Sequence, residues 1–275
     1  MSSRGRAIWL AALWGGLLIL EARRPLRPKR ESKLRRNSRN LALAAVAALT
    51  IQVVEKPIVA PLARRTAARR WGAIPRLGLP TWAERALGLA LLDYTLFVWH
   101  ILTHRSPLLW RFHAVHHADL DLDATTAVRF HAGELALSTA WRAAQVAGLG
   151  IAPQTLSLWQ GLTMASIAFH HSNLRLPMRW ERWLSYGIVT PRLHGIHHAS
   201  QRELANSNWS SGLALWDLLH RTRRWGVPQN EFTIGVPALQ RPDAVTFRKA
   251  LTLPWAAAAR QPSSFWQPES PQPSH

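Results

Sequence analysis

The fold class predicted by this sequence is all-α: an integral membrane helical bundle with its histidines gathered on one side. Three observations predict it. Apolar residues make up 48% of the chain and gather in long runs. Fifteen tryptophans and many arginines stand beside those runs, as aromatic and basic anchors do at a membrane interface. Three clusters of closely spaced histidines follow the ends of the later runs.

The runs are taken in order. Residues 7–20, AIWLAALWGGLLIL, lead directly into the basic stretch EARRPLRPKRESKLRRNSRN with no small-residue cleavage site, so they are expected to form an uncleaved anchor. A second run, 41–54, extends through EKPIVAPLA to residue 63, and a third, 85–102, is interrupted only by Asp93. Residues 143–169 carry no charge and are divided by GLGIAP, a helix stop followed by a helix start. This predicts a helical hairpin over 134–149 and 153–170. Residues 21–40 carry nine Lys and Arg, which places that loop in the cytoplasm and brings all three histidine clusters to the same side. By the same count the stretch 56–85 falls outside, but it is also basic, and lying along an interface is the alternative. Three segments follow: membrane anchor helices and basic loop at 1–84, a histidine-box domain at 85–225, and an extension at 226–275 that is Pro/Ser/Gln-rich and expected to be disordered from about 255.

The formal net charge of +19 first suggests a nucleic-acid partner. Its segregation from long apolar runs argues against nucleic acid and for a membrane surface. The chain has no cysteine, so any transition metal must be held by imidazole or carboxylate.

The histidines carry the chemistry. WHILTHR sets His100 and His104 at i, i+4; FHAVHHA and LHGIHHA set His113, His116, His117 and His194, His197, His198 at i, i+3, i+4. On a helix each cluster projects its imidazoles from one face. Unpaired imidazoles so close together repel when protonated and forfeit hydrogen bonds when neutral, so packing explains them poorly. Eight histidines supply four nitrogens to each of two ions. Ligand type leaves iron, zinc, copper and nickel open. A structural zinc needs only four ligands, and no histidine here is followed by the glutamate of helical zinc peptidases. A dinuclear non-haem iron centre that activates oxygen fits best.

These clusters resemble the histidine boxes of the fatty acid hydroxylase superfamily, also called the sterol desaturase family. The stretches AVRFHAGE, FHHSNLRLP, VTPRLHGIHH and NSNWSSGLALWDLLHRT are similar to that family too, and the early EARRPLR is similar to its bacterial members. The resemblance runs from about 85 to 225. It implies a membrane base of four or five helices and a cytosolic cap with a di-metal centre, natively di-iron. It further implies that His100, His113, His116, His194 and His197 hold one ion and His104, His117, His198 and His171 the other. His170 or His131 could supply a further ligand, since Ile167 stands where related hydroxylases have one. The family's usual Phe-Gly-Thr is here His220-Arg221-Thr222, so His220 is expected at a surface or helix end.

Such a centre would use O2 and an external electron donor to oxidise an aliphatic C–H bond of a membrane lipid, by hydroxylation or desaturation. Without haem or flavin motifs or cysteines, electrons must come from a separate redox partner: a ferredoxin, a cytochrome or a reductase. Asp93, Glu134 and Asp217 are the carboxylates expected to support the imidazoles from behind or to face substrate. Asp119, Asp121, Asp123 and Glu203 are expected to be solvated, and Asn173, Asn206 and Asn208 to cap helices. Composition points to a bacterial inner-membrane protein. The alternative reading is a non-catalytic membrane metal-binding or metal-transport protein; Asp93 as the one intramembrane charge argues against it.

Overall fold

The computed structural model describes residues 3–256, and every regular element among them is helical. The long elements are α1 (Ser3–Arg23), α2 (Lys33–Thr50), α3 (Lys56–Arg69) and α4 (Thr81–Arg105), then α5 (Pro107–His117), α6 (Ala132–Leu149) and α7 (Pro153–His171). Shorter helices follow: α8 (Met178–Gly187), α9 (Pro191–His197), α10 (Arg202–Ala205), α11 (Leu215–Leu219) and α12 (Phe247–Thr252). A π-helical turn, Ile51–Glu55, joins α2 to α3 without a break, so the two form one rod. That rod, with α1, α4, α6 and α7, makes five antiparallel passes between a cap end and a far end.

Local chemistry sets the turns. At the far end Gly150 ends α6 at φ +83, a left-handed conformation that favours glycine, and Pro153 opens α7 in its first turn. The Ala73 amide donates to the Gly148 carbonyl at 2.8 Å, closing that end. At the cap end Ser106 terminates α4 and caps α5, its Oγ accepting the Leu109 amide, with Pro107 at the first helical position. This reversal folds α5 back onto α4 and brings the first two histidine clusters together. The hairpin expected at 134–149 and 153–170 is present within two residues at each end.

Two stretches among the described residues are long and apolar enough to cross a membrane, 33–77 and Thr81–Arg105. Only 17% and 28% of their apolar windows are buried inside the protein, too little for core helices of a water-soluble fold. Lys56–Arg69 is helical despite its basic composition. It continues the α2 rod and packs against α6.

Asp93 is also not the one charge at this depth. Glu55 occupies the π-helical turn, and the Arg142 guanidinium lies 4.2 Å over the Trp159 ring while donating to Gln145. Gln145 in turn donates to Thr95.

Packing runs through the segments read from sequence. Val59 and Ala63 of the first segment share a core with Leu92, Val146 and Trp159. Leu43 shares another with Trp110, Ala250 and Leu253. Leu253–Trp255 forms a 3-10 turn that seats the Trp255 ring 5.5 Å from His131. Residues 257–275, where the expected disorder falls, lie outside the described residues.

Candidate metal centre

Nine histidines converge at the cap end in two groups whose ligand atoms lie within 4.8 Å of one another. His100, His104, His113, His117 and His197 form one; His116, His171, His194 and His198 form the other. All eight box histidines and His171 are therefore brought together. The division differs from the one the family resemblance implied: His116 and His194 join the second group, and His104 and His117 the first. The reason lies in the helix faces. On α5, His113 and His117 stand i, i+4 on one edge while His116 turns toward α7; on α9, His194 and His198 pair in the same way and His197 turns toward α4.

The second group forms a chain of close contacts between Nε2 atoms: 3.0 Å from His116 to His171, 3.0 Å from His171 to His194, and 3.1 Å from His194 to His198. In the first group His104 and His117 approach at 3.1 Å through the same atoms. In five of the rings the opposite nitrogen is held from behind by a group that only accepts. His100 Nδ1 donates to the Trp209 carbonyl at 2.7 Å, His116 Nδ1 to Arg129 at 3.2 Å, His171 Nδ1 to Ile167 at 2.8 Å and His197 Nδ1 to Ser207 at 2.9 Å. His113 Nδ1 donates to the Glu134 carboxylate at 2.8 Å.

A neutral imidazole has one proton, so these five rings must aim bare Nε2 lone pairs inward. For His116 and His171 two lone pairs then face each other at 3.0 Å, which is repulsive unless a cation lies between them. The buried Nε2 atoms of His113 and His197 have no protein partner at all. Burial, reinforced by neighbouring imidazoles, pushes His116, His117, His194, His197 and His198 well below the ordinary histidine pKa, so protonation does not resolve the conflict. Bonds of about 2.1 Å at right angles put adjacent nitrogens about 3.0 Å apart, so the residues fit metal ions.

The supporting frame is built from the N-terminal segment and the loop after α5. Arg36 of α2 is fully buried and grips Asp119 with two bonds, 2.7 and 2.9 Å, while also donating to Asp123. Asn40 Nδ2 reaches Asp119 at 2.9 Å, and its Oδ1 accepts from Arg129, whose Nε holds the Val115 carbonyl at 2.7 Å. Arg129 thus offers its backbone to His116 because its side chain is anchored on both sides. Asp119 and Asp123 are accordingly not solvated as expected: both are buried. Burial alone would raise the Asp119 carboxyl, but Arg36 and Arg129 beside it hold it below the usual range.

On the other flank, Gly195 sits between His194 and Ile196, where a Cβ would run into the Arg27 guanidinium and Gln229. Arg27 also donates to the Pro191 carbonyl and is clamped through its own backbone by both ends of the Asn173 amide, so it braces α9. Asn173 is therefore a clamp between segments and not a helix cap, and Asn208 likewise bridges the Leu193 and Arg224 carbonyls.

The carboxylates and extra histidines sort clearly. Glu134 alone of the three acids touches an imidazole. Asp93 accepts from the Leu213 amide and the Trp216 indole, so it anchors the loop before α11 and does not face a histidine. Asp217 accepts from the Trp209 and Ser210 amides and Thr222, acting on His100 only through the Trp209 backbone. His131 is committed at both nitrogens, capping α6 through the Gly133 amide and donating to Leu251, so no lone pair is left for a metal. His170 lies 4.0 Å from His194 between ring centroids, tilted by 48°, but belongs to neither group. His220 is an exposed helix-end residue against Tyr94 and Phe97, as expected. The carbonyls of Trp209, Arg129, Ser207 and Ile167 were missed by sequence reasoning, because a backbone acceptor has no residue signature.

Residues 85–222 match the fatty acid hydroxylase family. The ornithine lipid hydroxylase OlsE of Rhizobium tropici is 35% identical over 141 residues, 51% of this chain and 41% of that protein. A cholesterol 25-hydroxylase-like protein of Danio rerio is 31% identical over 142 residues, 50% of this chain and 55% of that one. The alkylglycerol monooxygenase of Homo sapiens is 22% identical over 153 residues, 52% of this chain and 30% of that one. The chain spans about half or less of the length of these relatives. No solved structure matches it. The matched region contains all nine clustered histidines, and with that half of its length the chain belongs to the fatty acid hydroxylase superfamily.

Proposed function

We propose that this protein is a multi-pass membrane di-iron oxygenase that hydroxylates, or desaturates, an aliphatic C–H bond of a lipid. The observation that carries the reading is the set of nine clustered histidines in two groups, eight of them buried and five fixed by their Nδ1 partners so that bare Nε2 atoms point inward. His100, His104, His113, His117 and His197 would hold one iron; His116, His171, His194 and His198 the other. Two irons, when bound, supply the reduction of O2 by two external electrons and two protons, one oxygen atom entering the C–H bond and the other leaving as water. The chain's own residues keep the imidazoles neutral and oriented, offset charge at His113 through Glu134, and exclude water by burial.

The relatives named as hydroxylases and monooxygenases act, by name, on an ornithine lipid, on sterols and on alkylglycerols. They share a lipid amphiphile with an aliphatic portion, and that is the proposed substrate class. Four to five helices crossing the bilayer, with the histidines at the cytoplasmic face of a bacterial inner membrane, would let a lipid enter from the bilayer and electrons from solvent. The cationic cap suits an acidic ferredoxin, a cytochrome or a reductase as donor. Elemental analysis and Mössbauer spectroscopy of anaerobically purified protein test the reading. Close to two coupled irons per chain, and a hydroxylated or unsaturated lipid formed on adding reductant and O2, are expected. One zinc per chain, or none, returns the histidines to a metal-binding role without redox chemistry.

A further inference from the structure

Helix α8 is amphipathic in the wrong direction for water. Its fully buried positions are polar: Glu181 accepts the Arg192 amide and Nε at 3.0 and 2.7 Å, and Ser185 Oγ accepts from Arg223 at 2.8 Å. Its outward positions include large apolar side chains: Trp180, Trp183 and Leu184 are 57%, 75% and 42% exposed. The neighbouring segment extends this face with Leu213 and Leu219, and Asp93 ties that segment to α4. Asp93 lies seven residues before His100, about 10 Å along the helix axis toward the far end. The apolar face therefore reaches below the histidine layer, to the depth of the membrane helices.

The exposed charges within residues 175–188 and 213–224 have one sign. Arg175, Arg179 and Arg182 are exposed, and Arg221 and Arg224 lie beside α11. Glu181, the acid of α8, is buried and spent on Arg192. A cleft of about 480 Å³ opens at the edge, between Arg175, Met178, Ile196 and Trp225. Two copies of this face would set arginines against arginines, whereas a bilayer with anionic headgroups complements both the apolar and the cationic parts.

We propose that α8 and the Leu213–Leu219 face form a membrane-docking surface of the cap, embedded at headgroup depth and selective for anionic phospholipid, whose phosphates pair with Arg175, Arg179 and Arg182. The cap then tilts into the bilayer on this side. The inference takes from the proposed function only that the chain sits in a membrane.

Because the chain has no cysteine, single labels report unambiguously. W183C and L219C, each carrying an environment-sensitive fluorophore, are placed in nanodiscs of phosphatidylcholine with phosphatidylglycerol. The expected result is strong quenching by nitroxides at headgroup and shallow acyl depth, and protection from iodide. In parallel, the association constant of spin-labelled phosphatidylglycerol relative to phosphatidylcholine is measured for wild type and for R179Q/R182Q. It is expected to fall roughly fivefold for each arginine removed. Labels open to iodide and untouched by lipid nitroxides overturn the docking. Labels shielded from both quenchers identify a protein–protein contact and overturn it equally, and an unchanged lipid preference overturns the anionic selectivity. Metal-free protein serves throughout, so failure here leaves the oxygenase reading untouched, and a missing iron pair leaves this one standing.

Discussion

Glu134 offers the sharpest test of how the centre is built. It is the carboxylate that touches a clustered histidine, bonded to His113 Nδ1 at 2.8 Å with the two side chains 7% and 5% exposed. A buried charge-assisted bond of this kind contributes about 1.5–3 kcal/mol. At about 1.4 kcal/mol per tenfold that is roughly 10- to 100-fold in metal affinity, the range found when partners behind metal-bound histidines are removed. Glu134→Gln keeps an oxygen that can accept from Nδ1 and loses only the charge, so it belongs at the lower end, about tenfold. Glu134→Ala loses both and belongs near a hundredfold. Anaerobic titration with Co(II) against a chromophoric chelator resolves the two binding steps, and only the step for the group containing His113 should weaken. Glu134 also stands in the first turn of α6, where an acid stabilises a helix by about 0.3–1 kcal/mol, so a small fall in Tm is expected with either change. If both variants bind both ions as wild type does, the orienting role is wrong and His113 is not a ligand.

The other predictions are more direct. His171→Ala should reduce bound metal to about one ion per chain, while His131→Ala should keep both ions and cost about 1 kcal/mol through the lost α6 cap; metal analysis beside thermal melts separates the two. Asp119→Ala should destabilise the protein by about 1.5–3 kcal/mol, because buried Arg36 loses its bidentate charge-assisted partner and keeps only Asp123. A denaturation midpoint close to wild type would show that the network can relax. Metal-free protein should be acid-sensitive in a defined window. His116, His117, His194, His197 and His198 are depressed in the folded state, so the unfolded chain takes up their protons first. The stability they leave intact is present above about pH 6.5 and is lost progressively as pH falls below it. A melting temperature flat from pH 8 to pH 5 would contradict the burial of these rings.

The parts of this fold legible in the sequence are those written in local chemistry. Gly150 and Pro153 mark the hairpin because one needs a left-handed turn and the other opens a helix. The box spacing identifies the ligands because an i, i+3, i+4 pattern must project from one helix face. What stayed hidden depends on which surfaces meet. Asp119 looks like a loop acid in HHADLDLD; only the return of Arg36 from 83 residues away makes it a buried anchor. Asp93 has the right helix face to approach His100, yet the loop before α11 claims it first. The grouping of the histidines differs from the implied one for the same reason: spacing fixes the face from which each imidazole leaves its helix, but not the neighbouring helix it meets.

That dependence on distant segments also explains the position of Arg129. Its own sequence neighbourhood, AVRFHAGE, suggests that His131 is the residue with metal chemistry, and His131 is instead consumed at both nitrogens. The arginine two positions earlier links three parts of the chain: its guanidinium holds the Val115 carbonyl on α5 and the Asn40 amide on α2, and its carbonyl receives the proton of His116. A change at Asn40 should therefore be felt at the metal group containing His116, although Asn40 stands 76 positions away in the chain and touches no clustered histidine. Asn40→Ala removes its bonds to Asp119, Thr125 and Arg129, while leaving the Arg36–Asp119 pair in place. The expected outcome is weaker binding at the His116, His171, His194 and His198 group, with binding at the other group preserved. Equal weakening of both groups would mean that Asn40 supports only the general stability of the cap, and that His116 is oriented by its own helix alone.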